Sequence, residues 1–450
     1  MTSDVRHGMS RRKFLRRATA TSALVSVPAL LAACGDDSDP VSSTVAKADA
    51  GKFAPSAGTE IPKATVKFGM APFPDAGFYV IGMKQGWFDD VGITVDPKPF
   101  GADVTPNNVV QLLVNGDVDM ATMNGPGIVK TMSQVPDLKL LGFSDTYIAT
   151  YLLASPDSGT QTVSELVAGG ASTADAIKTA MAGVKGKGVG FNNAGSQRIF
   201  LNAVFKTYGG VDFKDVKLTV TDDAKLVQLA KGGKIQFATP DGSAQNVELL
   251  RLGWKPLVSV SDLAKGLPES KSIVAASLSH EGPAAKLSYY ESNKETVLRF
   301  MSVMFRTIDA IQKDPQLFAG LAPYIKARAG VDVTVQSLQT IFKEINPFVG
   351  FDDQPTYWAG KPGNSQDYTV VYGEQIKAAQ DGGVLPKGKT FTPAQAIIGK
   401  EVWDTLNDLK GRYDTLKASG KAGGAQADQA QTYYDQRNYL DAYRLLNAAT

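Results

Sequence analysis

Four short stretches hold the side chains best suited to grip a small molecule: residues 71–77, 122–127, 192–198 and 239–245. Asp75 and Asp241 accept hydrogen bonds when ionised. Phe73, Phe78, Tyr79 and Phe191 supply rings that can stack on a ring. Asn124, Gly125, Asn193, Gly195, Ser196 and Gln197 add amides, a hydroxyl and glycine backbone. Two carboxylates beside aromatics suit a ligand with N–H donors or partial positive charge better than bare nitrate. A second role stays open for each polar group: Asp75, Asp241, Asn193 and Ser196 are also good helix caps. Arg198 is the best-placed cation, and equally a surface ion-pair residue.

What these stretches lack is reactive chemistry. Cys34 is the one cysteine, and the only histidine beyond His7 is His280, read as an ordinary loop residue before Glu281-Gly282-Pro283. Without a thiolate or a histidine cluster, metal and triad chemistry lose their usual residues. No catalytic residue, cofactor or metal is expected.

The elements that position the four stretches repeat. "LLVNGDVDMATMNGP" (112–126) and "LAKGGKIQFATPDGS" (229–243) align without a gap at an offset of 117, matching Gly116 to Gly233, Ala121 to Ala238, Thr122 to Thr239 and Gly125 to Gly242. Each reads as a helix end, a glycine cap, a short buried strand and a polar loop. Upstream, "ATVKFGM", "FYVIGMKQGWF" and "ITVDPKPF" read as strand, helix and strand. "KGVGF", "RIFLNAVFKTYG" and "VKLTVT" do the same in the second half. Two β-loop-α-β-α-β units imply an α/β fold of two similar lobes, each on a central sheet with helices on its faces. Ligand loops then lie beyond the carboxyl ends of the strands, where helix N-termini offer unpaired N–H groups.

The N-terminus carries a different message. "SRRKFLRRATATSALVSVPALLAAC" (10–34) is a basic start, a mild apolar run too short to span a bilayer, and a small-residue ending at Cys34. Arg11-Arg12-Lys13-Phe14-Leu15-Arg16 resembles a twin-arginine export signal, and Leu31-Ala32-Ala33-Cys34 resembles a bacterial lipobox, which implies lipid attachment to Cys34 and an anchor in the membrane. Residues 35–62 are rich in Asp, Ser, Ala and Pro and read as a flexible tether, reaching on the order of 30 Å. The whole chain holds 47 Lys+Arg and 45 Asp+Glu. Residues 1–33 hold six and one of these, leaving 41 and 44, a net −3 that argues against a nucleic-acid partner.

Taken together, the chain resembles the solute-binding lipoproteins of ABC importers, of the nitrate, sulfonate, taurine and thiamine-precursor type, with the type II periplasmic-binding-protein architecture. "GMKQGWFDDVGITV" resembles the stretch after that group's first strand. "LLVNGDVDMATMNGP" resembles its strand and ligand loop, and "VSELVAGG…AMAGVKGKGVGFNNAGS" its lead into the second lobe, split here by an insertion around residues 169–182. The likeness runs from about Val66 to Leu385. It implies a monomer that closes two lobes on a solute and delivers it to permease subunits of an ABC importer. It also implies that Asn193, Gly195, Ser196 and Gln197 contact the solute at the mouth of the second lobe. The expected organisation is 1–33 signal peptide, 34–63 lipidated Cys and tether, 64–148 first lobe, 149–277 second lobe, 278–390 first lobe again, and 391–450 a C-terminal helical extension. The hinge strands are expected near Ile148 and Ile273, in "IATYLLAS" and "SIVAAS". Alternatives are a pyrimidine-synthase-like enzyme of the same fold, or a ligand sensor for a signalling partner.

Overall fold

The computed structural model describes residues 52–192, 195–358, 360, 364–420 and 423–449. The export signal, Cys34, Asn193 and the side chain of Ser196 lie outside the described residues. Twelve strands are present among them: β1 Ala64–Met70, β2 Ile93–Asp96, β3 Ala102–Asp103, β4 Met120–Asn124, β5 Leu138–Leu140, β6 Asp145–Tyr147, β7 Tyr151–Ala154, β8 Gly188–Phe191, β9 Lys217–Val220, β10 Phe237–Thr239, β11 Lys255–Ser259 and β12 Ser279–Lys286. They form two sheets. The first has the order β2-β1-β4-β12-β5, with β3 on β1 and β6 on β12; the second has the order β9-β8-β10-β7-β11.

The two orders match strand for strand. β1, β2 and β4 run parallel, as do β8, β9 and β10, and each set is flanked by one antiparallel strand, β12 or β7. The helices match as well: α1 (Tyr79–Lys84), α2 (Val109–Asn115) and α3 (Gly125–Thr131) in the first lobe, α6 (Gly195–Asn202), α7 (Asp223–Lys231) and α8 (Ser243–Arg251) in the second. Between the sets, α4 (Val163–Ala168) precedes the insertion and α5 (Thr173–Ala182) lies within it. The glycines that align in the sequence do the same job in both: Gly116 ends α2 at φ 77° and Gly233 follows α7 at φ 65°, a left-handed turn that glycine adopts without strain. Ala121 and Ala238, five residues on, are fully buried at the centre of each sheet.

The chain passes from β6 in the first sheet to β7 in the second through residues 148–150, as the apolar run near Ile148 suggested. Its return differs from expectation. Residues Lys271–Ser277 are a helix, α9, not a strand. A short apolar run fits either period, and here the two alanines tip it to a helix whose buried side packs on α11 (Tyr368–Asp381). The returning strand is β12, in "SHEGPAAK". Its Gly-Pro pair reads as a turn, but Pro283 lies opposite Thr122 in the interior of the sheet, and its carbonyl accepts from Leu141 N at 2.8 Å. Gly282 is needed here because an added Cβ would run into the carbonyl oxygen of Gly142. His280 is therefore a fully buried strand residue and not a loop residue.

The long helix α10 (Lys294–Lys313) buries Val297, Phe300, Met301, Met304 and Ile308, so the methionine face is core. Phe300 meets Phe68 of β1 edge to face at 4.7 Å. The C-terminal extension is three helices, α12 (Gly399–Ala418), α13 (Ala425–Asp435) and α14 (Tyr439–Ala448). Arg437, at φ 64°, separates α13 from α14, and Asn438 caps α14. Arg299 of α10 grips Asp441 of α14 with two bonds of 2.8 and 2.9 Å, both side chains nearly fully buried. Arg444 then reaches back to the carbonyls of Ser56 and Glu60 at 2.9 and 3.1 Å, and Ser56 Oγ donates to Glu295 at 3.0 Å. Among the described residues no helix is long and apolar enough to cross a membrane.

Candidate functional site

Strand pairing builds the floor of the site. Glu281 of β12 lies opposite Asn124 of β4 on one side and Asp145 of β6 on the other. Directly paired residues point to one face of a sheet, so Asn124, Glu281 and Asp145 form a polar row at the carboxyl end of β4. Asp75, in a helical turn just after β1, joins the row. The amide nitrogen of Asn346 donates to Asp145 at 3.0 Å and sits 3.4 Å from the Asp75 carboxylate. Ser144 Oγ donates to Asp145 at 2.8 Å, and Ser279 Oγ to Glu281 at 3.1 Å.

The second lobe presents a matching edge. Asp223 accepts from Asn192 Nδ2 at 2.9 Å, from Asp241 N at 3.1 Å and from Gly242 N at 2.6 Å, and so fixes the loop after β10. Asp241 projects from that loop beside Gln197 of α6, which is fully buried. Asn246 of α8 bridges the lobes by donating to Tyr147 Oη of β6 at 3.1 Å. Lower down, Ser272 of α9 donates to Glu374 of α11 at 3.0 Å, and Gln375 of α11 donates to the Leu278 carbonyl at 2.7 Å.

The carboxyl groups of the two lobes feel one another. Burial pushes the Asp75 carboxyl up to about 6. Burial, then the charges of Asp223 and Asp75, push Asp241 up to about 7, with Gln197 and Lys130 opposing. Asp145 and Glu281 are held well above the usual carboxylate range, by burial first and by neighbouring carboxylates second. Asp223 is raised by burial too, against its three donors.

Behind the row, the other face of β12 carries His280. Its ring lies 4.4 Å from Phe143 and 5.2 Å from Tyr357, and burial pushes it down to about 3, so it stays neutral. It is a packing residue. Phe78 is fully buried and packs against Tyr79 and Phe348. Phe191 belongs to the core of the second lobe. Tyr79 is buried with its phenol near Asp145, Glu281 and Ser144. Asn124 caps α3 through Gly127 N at 2.8 Å, and Gly125 presses on Tyr372, where a side chain would clash. Gly195 opens α6, which touches α3 across the cleft. Arg198 is exposed. The N-caps of the turns at 74–77 and 243–251, Phe73 and Gly242, make no side-chain cap bond, while the backbone N–H groups of Asp75 and Ala76 help hold the Asp75 carboxyl at the start of its own turn.

Sequence reasoning missed Asp145, Asp223, Glu281 and Asn346. The signal was there for two of them: an acid inside "FSDTYIAT" and an acid inside "SHEGPAAK", both in stretches that must cross between lobes. Among the described residues no three His, Cys, Asp or Glu side chains are placed to hold a metal ion. A groove of about 520 Å³, between residues 59–63 and the face of α13 at Gln429 and Tyr433, shares no residue with the cleft.

The family profile described as "NMT1/THI5 like" matches residues 74–317, more than half of the chain. The chain belongs to the NMT1/THI5-like family. No curated protein sequence matches it. The NMT1/THI5-like chain shares its fold with the periplasmic nitrate-binding protein NrtA of Synechocystis (15% identity, 77% of this chain and 89% of that one, TM-score 0.53). It is similarly related to the periplasmic sulfonate-binding protein SsuA of Methylobacillus flagellatus (14%, 77% and 95%, TM-score 0.51). A third match is the ligand-binding component of an ABC-type import system of Staphylococcus aureus, solved with zinc bound (11%, 76% and 98%, TM-score 0.50). The NMT1/THI5-like chain thus has the two-sheet periplasmic-binding-protein fold, and its polar row and its Asp241 loop lie at the carboxyl ends of the two sheets.

Proposed function

We propose that this protein is an extracytoplasmic solute-binding protein, anchored through lipid on Cys34, that closes its lobes on a small organic solute and hands it to the permease of an ABC importer. One observation carries the reading. Buried polar atoms without a hydrogen-bond partner among the described residues lie at the carboxyl ends of both sheets: Asp75 Oδ1 and Asn346 Oδ1 on one side, Thr239 Oγ1, Ser243 Oγ and Asn246 Oδ1 on the other. Each such group is costly unless something bonds to it, about 1–3 kcal/mol apiece. A solute reaching both edges supplies what is missing only when the lobes are shut, which is how a hinge protein couples binding to closure. The contact set is proposed as Asp75, Phe78, Tyr79, Asn124, Gly125, Asn193, Gly195, Ser196, Gln197 and Asp241, with Asp145 and Glu281 added. His280 stays neutral and enclosed away from the polar row, so the reading assigns it no acid–base role, and no cofactor is invoked.

The test is a thermal-shift screen of alkanesulfonates, taurine, nitrate, thiamine pyrimidines, flavins, amines and aromatic acids, followed by solution scattering with any hit. A stabilising solute should shrink the radius of gyration. A chain that binds none of these classes, or binds without compaction, overturns the reading. Cys34→Ser should move the protein from the membrane to the soluble fraction, and persistence in the membrane would remove the lipid anchor.

A further inference from the structure

We infer that the solute is an organic cation, a small molecule carrying a protonated nitrogen that carboxylates of both lobes hold. This rests on the solute-capture reading above and adds the sign of the solute's charge.

The argument begins with the direction of the missing bonds. Asn346 spends its amide N–H₂ on Asp145 at 3.0 Å and lies 3.4 Å from Asp75, the orientation that suits both groups once they are ionised. Its Oδ1 is left without a partner among the described residues and is fully enclosed. Asn246 repeats the pattern: its N–H₂ goes to the Gly242 carbonyl and to Tyr147 Oη, both at 3.1 Å, and its Oδ1 is left over. Asp75 Oδ1 is a third such atom, on a residue only 9% exposed. These three are acceptors that only a donor completes, while the unpartnered hydroxyls of Tyr79, Thr239 and Ser243 beside them can turn to suit either sign. They belong to both lobes.

Charge gives the same answer independently. Asp75 and Glu281 from the first lobe lie close enough to Asp241 of the second for the carboxyl groups to disfavour one another's ionisation, and Asp145 adds to the charge around Asp75 and Glu281. Asp223 is already satisfied by three donors and acts as scaffold. The cation that bears on Asp241 is Lys130, whose side chain is exposed. A sulfonate or nitrate entering this cleft would add a negative charge to a site rich in carboxylates and buried acceptors. An ammonium, amidinium or guanidinium group supplies N–H donors and offsets the repulsion that resists closure. The carboxylates must shed protons to hold it, so protons compete with the solute. The facing groups are Asp145, Glu281, Asn346 and Tyr79 around Asp75, and Asp223, Gln197 and Lys130 around Asp241.

The experiment is calorimetric titration of the full chain with putrescine, agmatine and spermidine, and with ethanesulfonate and nitrate, at about pH 5.5 and about pH 8. At least one amine or guanidine should bind, more tightly at the higher pH by about tenfold or more. Asp75→Asn and Asp241→Asn should each weaken it by about tenfold or more while the unliganded proteins melt no lower than the parent. Binding of ethanesulfonate or nitrate, strongest at the lower pH, overturns the cation and leaves solute capture standing. Cation binding that ignores both pH and the two Asn variants places it elsewhere and also overturns the inference. Failure of every probe, together with a null result across the wider solute screen, removes capture and cation alike.

Discussion

Asp145 and Glu281 face each other across antiparallel β6 and β12, so two carboxyl groups leave the same side of one sheet at adjacent positions. Like charges in that register oppose each other, and only shared hydrogen bonds and retained protons make the pair tolerable. Replacing Glu281 with Gln keeps the shape and removes one charge. The unliganded variant should be more stable than the parent at about pH 8 by roughly 0.5–1 kcal/mol, read from urea denaturation, and should bind solute less well. Equal or lower stability would mean that the pair is not strained by charge.

The pH dependence follows from the same cluster. Asp75 is raised from 3.8 to about 6 and Asp241 from 3.8 to about 7, so the folded protein holds protons that the unfolded chain has released. Stability from this source is fully present below about pH 4 and is lost as pH rises through 6 to 7. The unliganded melting temperature should therefore fall between about pH 5 and pH 8. The double variant Asp75→Asn, Asp241→Asn should flatten that slope, and an unchanged slope in scanning calorimetry would place its origin in other groups.

Asp223 and Asp241 look alike in the sequence and should behave in opposite ways. Asp223 holds one side-chain and two backbone N–H groups, so Asp223→Ala should cost about 1–3 kcal/mol with or without solute. Asp241 makes no cap bond, and Asp241→Ala should leave the unliganded stability within about 0.5 kcal/mol or raise it. Its effect should appear in solute affinity. Paired denaturation and binding measurements on the two variants decide this, and a large stability loss in Asp241→Ala would return it to a structural role.

The C-terminal extension should prove integral to the first lobe. Asp441→Ala takes the shared carboxylate from Arg299 and Arg444, two arginines almost wholly out of water that keep only Glu295 and the carbonyls of Ser56 and Glu60, and removal of one member of such a group typically costs about 3–5 kcal/mol. The melting temperature should drop well below that of the parent, and limited proteolysis should cut near Ser56 once Arg444 no longer holds its carbonyl. Parent-like melting would show that α14 is a dispensable appendage.

The two β-α-β-α-β units were legible because each is local: glycine caps, apolar strands and the 117-residue offset all sit within short windows. The acidic row was not, because it is made by register. Nothing near Glu281 in the chain announces that Asn124 and Asp145 flank it, and Gly282-Pro283 resembles a turn until the backbone of Gly142 is seen against it. Asn346 lies 201 positions from the Asp145 it bonds. Run length misled at residues 271–277, where six or seven apolar and small residues suit a strand or a helix and only the packing on α11 decides.

The bond from Arg444 to Ser56 spans 388 positions. A ribosome releases Ser56 long before it makes Arg444. The strands of the second sheet all fall between Tyr151 and Ser259, so that lobe has every strand it needs while synthesis continues. The first lobe must wait for β12, then α10, then α14. Its assembly is a late, long-range event, and contacts of this separation are slow to form. The topology thus sets an order of maturation: a second lobe whose strands are complete early, and a first lobe that waits for α14 to close on Ser56.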